Sequence, residues 1–95
     1  MDNIARSDIV KAVAGRDKGK LFFVLDVEGE FLLLADGKTR KLEKPKRKKR
    51  RHVSFVSSPD CRVAEKIKGG EKLQNSELRR TLAQLGGEGN PDQEG

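Results

Sequence analysis

The chain has 95 residues, 34% hydrophobic and 38% charged, so it holds one small domain with a modest core at most. Lys and Arg number 21 against 15 Asp and Glu, and the net charge of +6 favours anionic partners, chiefly nucleic acid or an acidic membrane surface. A single cysteine, Cys61, excludes an internal disulfide and a zinc site built from several cysteines, and no apolar run approaches the roughly 20 residues of a membrane-spanning helix. "MDNIARSDIV" lacks the apolar core of a signal peptide, so a reducing, cytoplasmic setting is expected, with no membrane partner.

Residues from Ile9 to about Ala14 read as a first strand, closed by Gly15. "LFFVLDVEGEFLLLADG" holds two further apolar runs with Gly29 at the turn between them, which predicts a hairpin. Their nearly unbroken apolar character fits a tightly curled sheet buried on both sides of its bend; a short buried helix is the competing reading. Asp36-Gly37 predicts a second tight turn, followed by a fourth strand near Thr39 to Leu42. "HVSFVSS" predicts a fifth, with Val53 and Phe55 on one face. Five short strands in about 50 residues suggest a small, strongly bent barrel, because closure removes exposed edges. Residues 59–74 read as a linker with at most a weak helical turn, interrupted by Gly69-Gly70. Residues 75–86 predict a short C-terminal helix, capped by Asn75 or Ser76 and ended by Gly86, with an apolar stripe of Leu78, Leu82 and Leu85. The polar tail, residues 87–95, reads as disordered.

The positive charge belongs to the N-terminal part: residues 1–58 carry fifteen Lys/Arg against eight Asp/Glu, residues 59–95 six against seven. Two segments concentrate it. "GRDKGK" places Gly15, Arg16, Lys18, Gly19 and Lys20 in a corner between strands. It reads either as an ordinary tight turn or as a concavity whose glycine N–H groups and cationic side chains meet phosphate. The second segment is a basic loop over residues 38–52. Lys38, Arg40 and Lys41 lead into Lys44, Lys46, Arg47, Lys48, Lys49, Arg50 and Arg51, and His52 follows. Mutual repulsion predicts an extended, mobile loop that phosphate would neutralise with release of counterions. A solvated run without a specific partner and a nuclear-import signal are the other readings of such a cluster.

"DIVKAVAGRDKGKLFFVLDV" resembles the KOW motif of large-subunit ribosomal proteins and of the NusG elongation factors, with Gly15, Gly19, Lys20 and Val24 at matching positions. The longer stretch "GKLFFVLDVEGEFLLLADG" is most similar to the large-subunit fourteen-e family, and Phe22, where many KOW motifs have glycine, points the same way. The likeness covers about residues 7–57, so residues 1–58 would form the RNA-binding unit. "LQNSELRRTLAQLG" resembles the tail of small bacterial KOW proteins. The resemblance implies an SH3-like barrel that binds RNA, usually ribosomal RNA, and works in translation without catalysis.

His52 is the only histidine, and no spacing supplies the nucleophile and orienting carboxylate that a catalytic base would need. It is expected either to be exposed or to contact RNA. Cys61 beside Arg62 reads as an unremarkable thiol. Phe22, Phe23, Phe31 and Phe55 could stack on bases, but at least three are expected in the core. The reading is therefore a non-catalytic RNA-binding protein recognising phosphate and shape, with no cofactor, metal or small-molecule substrate. Two alternatives stand beside it: a protein-interaction adaptor, using the stripe of Leu78, Leu82 and Leu85 for a protein partner, and a transcription-linked KOW factor that binds DNA.

Overall fold

The computed structural model describes residues 3–86; the tail expected to be disordered lies outside them. Five strands form one antiparallel sheet: β1 (Ile9–Ala12), β2 (Leu21–Glu28), β3 (Phe31–Ala35), β4 (Lys46–Lys49) and β5 (Val53–Ser57). Their spatial order is β4-β3-β2-β1-β5. Two helices follow, α1 (Arg62–Gly69) and α2 (Asn75–Gly86). Among the described residues no helix is long and apolar enough to cross a membrane.

The unbroken apolar run in β2 has a direct cause. Successive strand residues face opposite sides of a sheet, and both sides of β2 are covered. Phe22 and Val24 join Ile4, Val10, Ala12, Leu32, Leu34 and Val53 in one cluster. Phe23 faces the other way, into a cluster with Ile9, Ala35, Val63, Ile67, Leu78 and Leu82 that both helices complete. Register shifts at Ile9/Val10 and at Val24/Asp26 let the sheet bend around the first cluster. Phe22 and Phe23 are fully buried, and each contributes about 1.5–3 kcal/mol by leaving water.

Four expectations need correction. The sheet is open: β4 and β5 are its two edges, and a 3₁₀ turn over Arg50–His52 carries the chain between them without a ladder. Thr39 to Leu42 is not a strand. The N–H groups of Lys38 and Arg40 donate to Asp36 Oδ1 (2.9 and 2.8 Å), and that of Leu42 donates to Asn75 Oδ1 (2.8 Å), so side chains take the donors a ladder would use. The fourth strand is instead Lys46–Lys49, inside the run expected to be a mobile loop, paired with β3 from Phe31↔Lys49 to Leu34↔Lys46. The expected linker, finally, contains α1. Val63, Ala64 and Ile67 bury one face of that helix, and Gly70 ends it with a left-handed φ of 68°. Its N–H donates to Ile67 O and that of Glu71 to Lys66 O, a Schellman ending.

α2 occupies the bounds read from the sequence, but Asn75 does not cap it in the expected way. Glu77 accepts the Gln74 N–H (2.9 Å), while the Asn75 side chain reaches Leu42 N–H and Glu43. Lys66 binds Glu77 at 2.6 Å and so ties α1 to α2. Leu78 and Leu82 are buried in the second cluster; Leu85, 48% exposed, alone of the three faces outward.

Candidate nucleic-acid interface

The register pair Phe23↔Ala35 brings the start of β2 and the end of β3 together. The corner 15–20 and the turn 36–40 therefore lie side by side. A buried carboxylate joins them. Asp17, 5% exposed, accepts both Arg40 Nε (3.2 Å) and Nη2 (2.9 Å), and Lys20 Nζ lies 4.0 Å away. Burial pushes the Asp17 carboxyl up, but the Arg40 hydrogen bond and the charges of Arg40, Lys20 and Lys48 outweigh it and hold it below the ordinary carboxylate range. Asp36 organises the neighbouring turn, taking Thr39 Oγ1 (2.8 Å) as well as two backbone N–H groups.

The two turns border two open grooves that meet at Thr39. The first, about 480 Å³, lies between Gly19–Leu21, the 36–39 turn and α2, with Lys20, Lys38 and Arg79 on it. The second, about 510 Å³, is lined by Arg40, Lys41, Lys44, Pro45, Lys46 and Arg47. Together they carry eight cationic residues on one stretch of surface.

The residues singled out in the sequence divide between this surface and other places. Gly19, Lys20, Lys38, Arg40, Lys41, Lys44, Lys46 and Arg47 line the grooves. Arg16 and Lys18 are exposed on the corner beside them. Gly15 lies next to Lys48, whose Nζ would stand 3.3 Å from a Cβ added there. Gly19 does not offer its N–H to a ligand, because that group donates to Ala12 O at 2.8 Å and closes the corner.

Lys48 is a correction to the expected cationic loop. Opposite Leu32 in the register, it faces inward and is only 9% exposed. Its stem is buried on the Leu32 side of the sheet, its amine lies beside Gly15, and its charge helps to hold the Asp17 carboxyl low. Arg47 and Lys49 turn to the other face of β4, where they lie over the Phe31 ring at 4.0 and 5.9 Å, and Arg47 also meets Glu28 at 3.3 Å. Arg50, Arg51 and His52 form the 3₁₀ turn and are not part of the lining of either groove; His52 is half-buried and its carbonyl accepts the Val13 N–H (2.9 Å). The phenylalanines divide differently from the expectation, with Phe22 and Phe23 in the core, Phe31 under its cations, and Phe55 45% exposed at the β5 edge.

Arg79 is the groove residue that sequence reading missed as a site. It sits off the leucine stripe of α2, and nothing in its neighbours tells where that helix docks. The signal lies at a distance, in Gly37. With φ at 77°, a Cβ there would meet Asn75 O at 2.2 Å, so α2 rests directly on that backbone, and Arg79 Nη1 donates to Gly37 O at 2.8 Å.

Compared with protein-family models and with curated proteins, the chain matches none.

Proposed function

We propose that this chain is a non-catalytic RNA-binding protein of the KOW kind, acting on ribosomal RNA through phosphate and shape. The observation that carries the reading is the pair of cation-lined grooves meeting at Thr39, on one side of a molecule whose net charge is +6. Two carboxylates stand at the grooves: Asp17 is paired with Arg40 and repels an incoming phosphate little, while Asp36, in the lining of the first groove, leaves the second groove the stronger phosphate site. The strand order β4-β3-β2-β1-β5, with a 3₁₀ turn between β4 and β5, supports an SH3-like arrangement of the open sheet. With no Trp or Tyr in the chain and two of four Phe in the core, backbone contact outweighs base stacking as the main source of affinity.

The test is binding of folded ribosomal RNA fragments by fluorescence anisotropy across a salt series. Affinity falls steeply with salt, and each phosphate contact removed flattens the log–log slope by about one. Equal affinity at low and high salt, or stronger binding to duplex DNA than to folded RNA, overturns the reading; the second result favours the transcription-linked alternative. Sedimentation with resolved ribosomal subunits then tests the ribosomal partner.

One feature favours the adaptor reading. β5 is an edge strand without a charged residue, and it exposes Phe55 and Val56, whereas the opposite edge, β4, is entirely basic. The leucine stripe offers it little, because Leu78 and Leu82 are buried. A main partner that survives nuclease treatment in a pull-down supports this second reading against the first.

A further inference from the structure

The first groove is built differently from the second, and the difference bears on what enters it. Apart from Pro45 and Thr39, the lining of the second groove is cationic. The first has an apolar floor of Leu21, Leu82 and Ala83, with Lys20, Lys38 and Arg79 around it. A phosphate gains nothing from an apolar floor. It is also disfavoured inside by Asp36, whose carboxylate forms part of the wall and is held there by three donors. A neutral, flat, largely apolar group attached to an anion satisfies the whole arrangement: the flat group covers the floor, and the anion stays among the lysines. At about 480 Å³ the groove falls within the roughly 300–1,000 Å³ of small-ligand sites, large enough for one nucleotide and too small for a base pair with both backbones.

We propose that this groove takes one unstacked nucleobase of an RNA strand, while Lys20 and Lys38 hold its flanking phosphates. The proposal rests on the RNA-binding reading and adds to it the kind of RNA, one with a bulged or single-stranded nucleotide beside a helix. Arg79 has a defined part. Its guanidinium is pinned at one corner by Gly37 O (2.8 Å), which orients a planar cation at the wall where a base edge or face arrives. Recognition of this type discriminates unpaired from paired nucleotides without reading the base sequence.

The experiment uses two RNA hairpins that differ in one nucleotide. One carries 2-aminopurine as a single-base bulge, and the other carries it paired within the stem. The full chain binds the bulged hairpin about tenfold more tightly, the factor expected from covering roughly 60 Å² of apolar surface. The bulged 2-aminopurine brightens on binding, because it leaves its stacked neighbours for a groove with no aromatic residue among its lining. Ala83→Leu narrows the floor and lowers affinity for the bulged hairpin to near that of the paired one; a melting curve confirms that the variant is folded. If Ala83→Leu does not fold, the emission change and the affinity difference of the unaltered chain decide the matter. Equal affinity for both hairpins with unchanged emission overturns the base site and leaves RNA binding standing. So does full retention of the preference by folded Ala83→Leu, since the base then binds elsewhere. Failure to bind either hairpin at low salt removes the RNA-binding reading and this proposal with it.

Discussion

The two basic segments look alike on paper and are built in opposite ways. The corner 15–20, with the adjoining turn 36–40, is held from within: Asp17 clamps Arg40, and α2 braces Gly37 from behind through Asn75 and Arg79. The Lys44–Arg51 run is held by alternation. Its central four residues form an edge strand that sends Lys48 inward and lays Arg47 and Lys49 over Phe31. The first segment thus has less charge but presents it rigidly, whereas the second has more charge and gives part of it to the fold. A count of Lys and Arg overstates the cations available to a ligand wherever a β-strand passes through the count.

The rigid segment should break most severely at its seat. Gly37→Ala forces a left-handed φ, at about 1–2 kcal/mol, and drives a methyl into Asn75 O, at about 1–3 kcal/mol more. A loss of about 3 kcal/mol in thermal unfolding is expected, and an unchanged melting temperature would mean that α2 does not bear on this turn. Leu78→Ala, which removes a fully buried anchor of the same helix, costs about 2–5 kcal/mol, while Leu85→Ala stays within about 0.5 kcal/mol. Equal effects at the two leucines would contradict the docked position of α2.

Asp17→Asn comes next. It leaves Arg40 without its counter-charge and costs about 1–3 kcal/mol. The pH dependence sharpens this prediction. The Asp17 carboxyl titrates lower in the folded chain than when unfolded, so its contribution is complete above about pH 4 and is lost as the pH falls through the folded value. Acid unfolding followed by circular dichroism should show a shallower fall in stability for Asp17→Asn than for the unaltered chain. Identical slopes would remove Asp17 as the clamp.

For the basic run, the effects are read in affinity and are smaller. Replacing Lys41, Lys44 and Lys46 together by Gln weakens RNA binding about tenfold or more and flattens the salt slope by about two to three. Lys48→Met keeps the buried stem and removes only an inward amine, so the slope stays as it was and affinity changes by less than about twofold. A Lys48→Met slope as flat as that of the triple variant would show that the run binds as a loop, and the contrast between the two segments would fall.

Much of the local structure was legible along the chain. Periodicity and turn chemistry located β1, the β2–β3 hairpin, β5 and α2, because each rests on residues close in sequence: Gly29 in the hairpin turn, the unbroken apolar run of β2, the three-and-four spacing of Leu78, Leu82 and Leu85. The basic character of one region was equally plain. What escaped depends on contacts between distant residues. Thr39 to Leu42 has the local look of a strand, but Asn75 takes the Leu42 N–H from 33 positions away. Lys46–Lys49 has the look of a repelled loop, but β3 supplies a ladder and Phe31 a place for two of the charges. Composition and spacing thus settled which segments are apolar, where the backbone turns and where the charge collects, since those follow from each residue and its near neighbours. Which cations of the basic run face outward was settled by the pairing of β4 with β3, and that Arg79 joins them beside an apolar floor was settled by the packing of α2 on Gly37; both are contacts that no local pattern encodes.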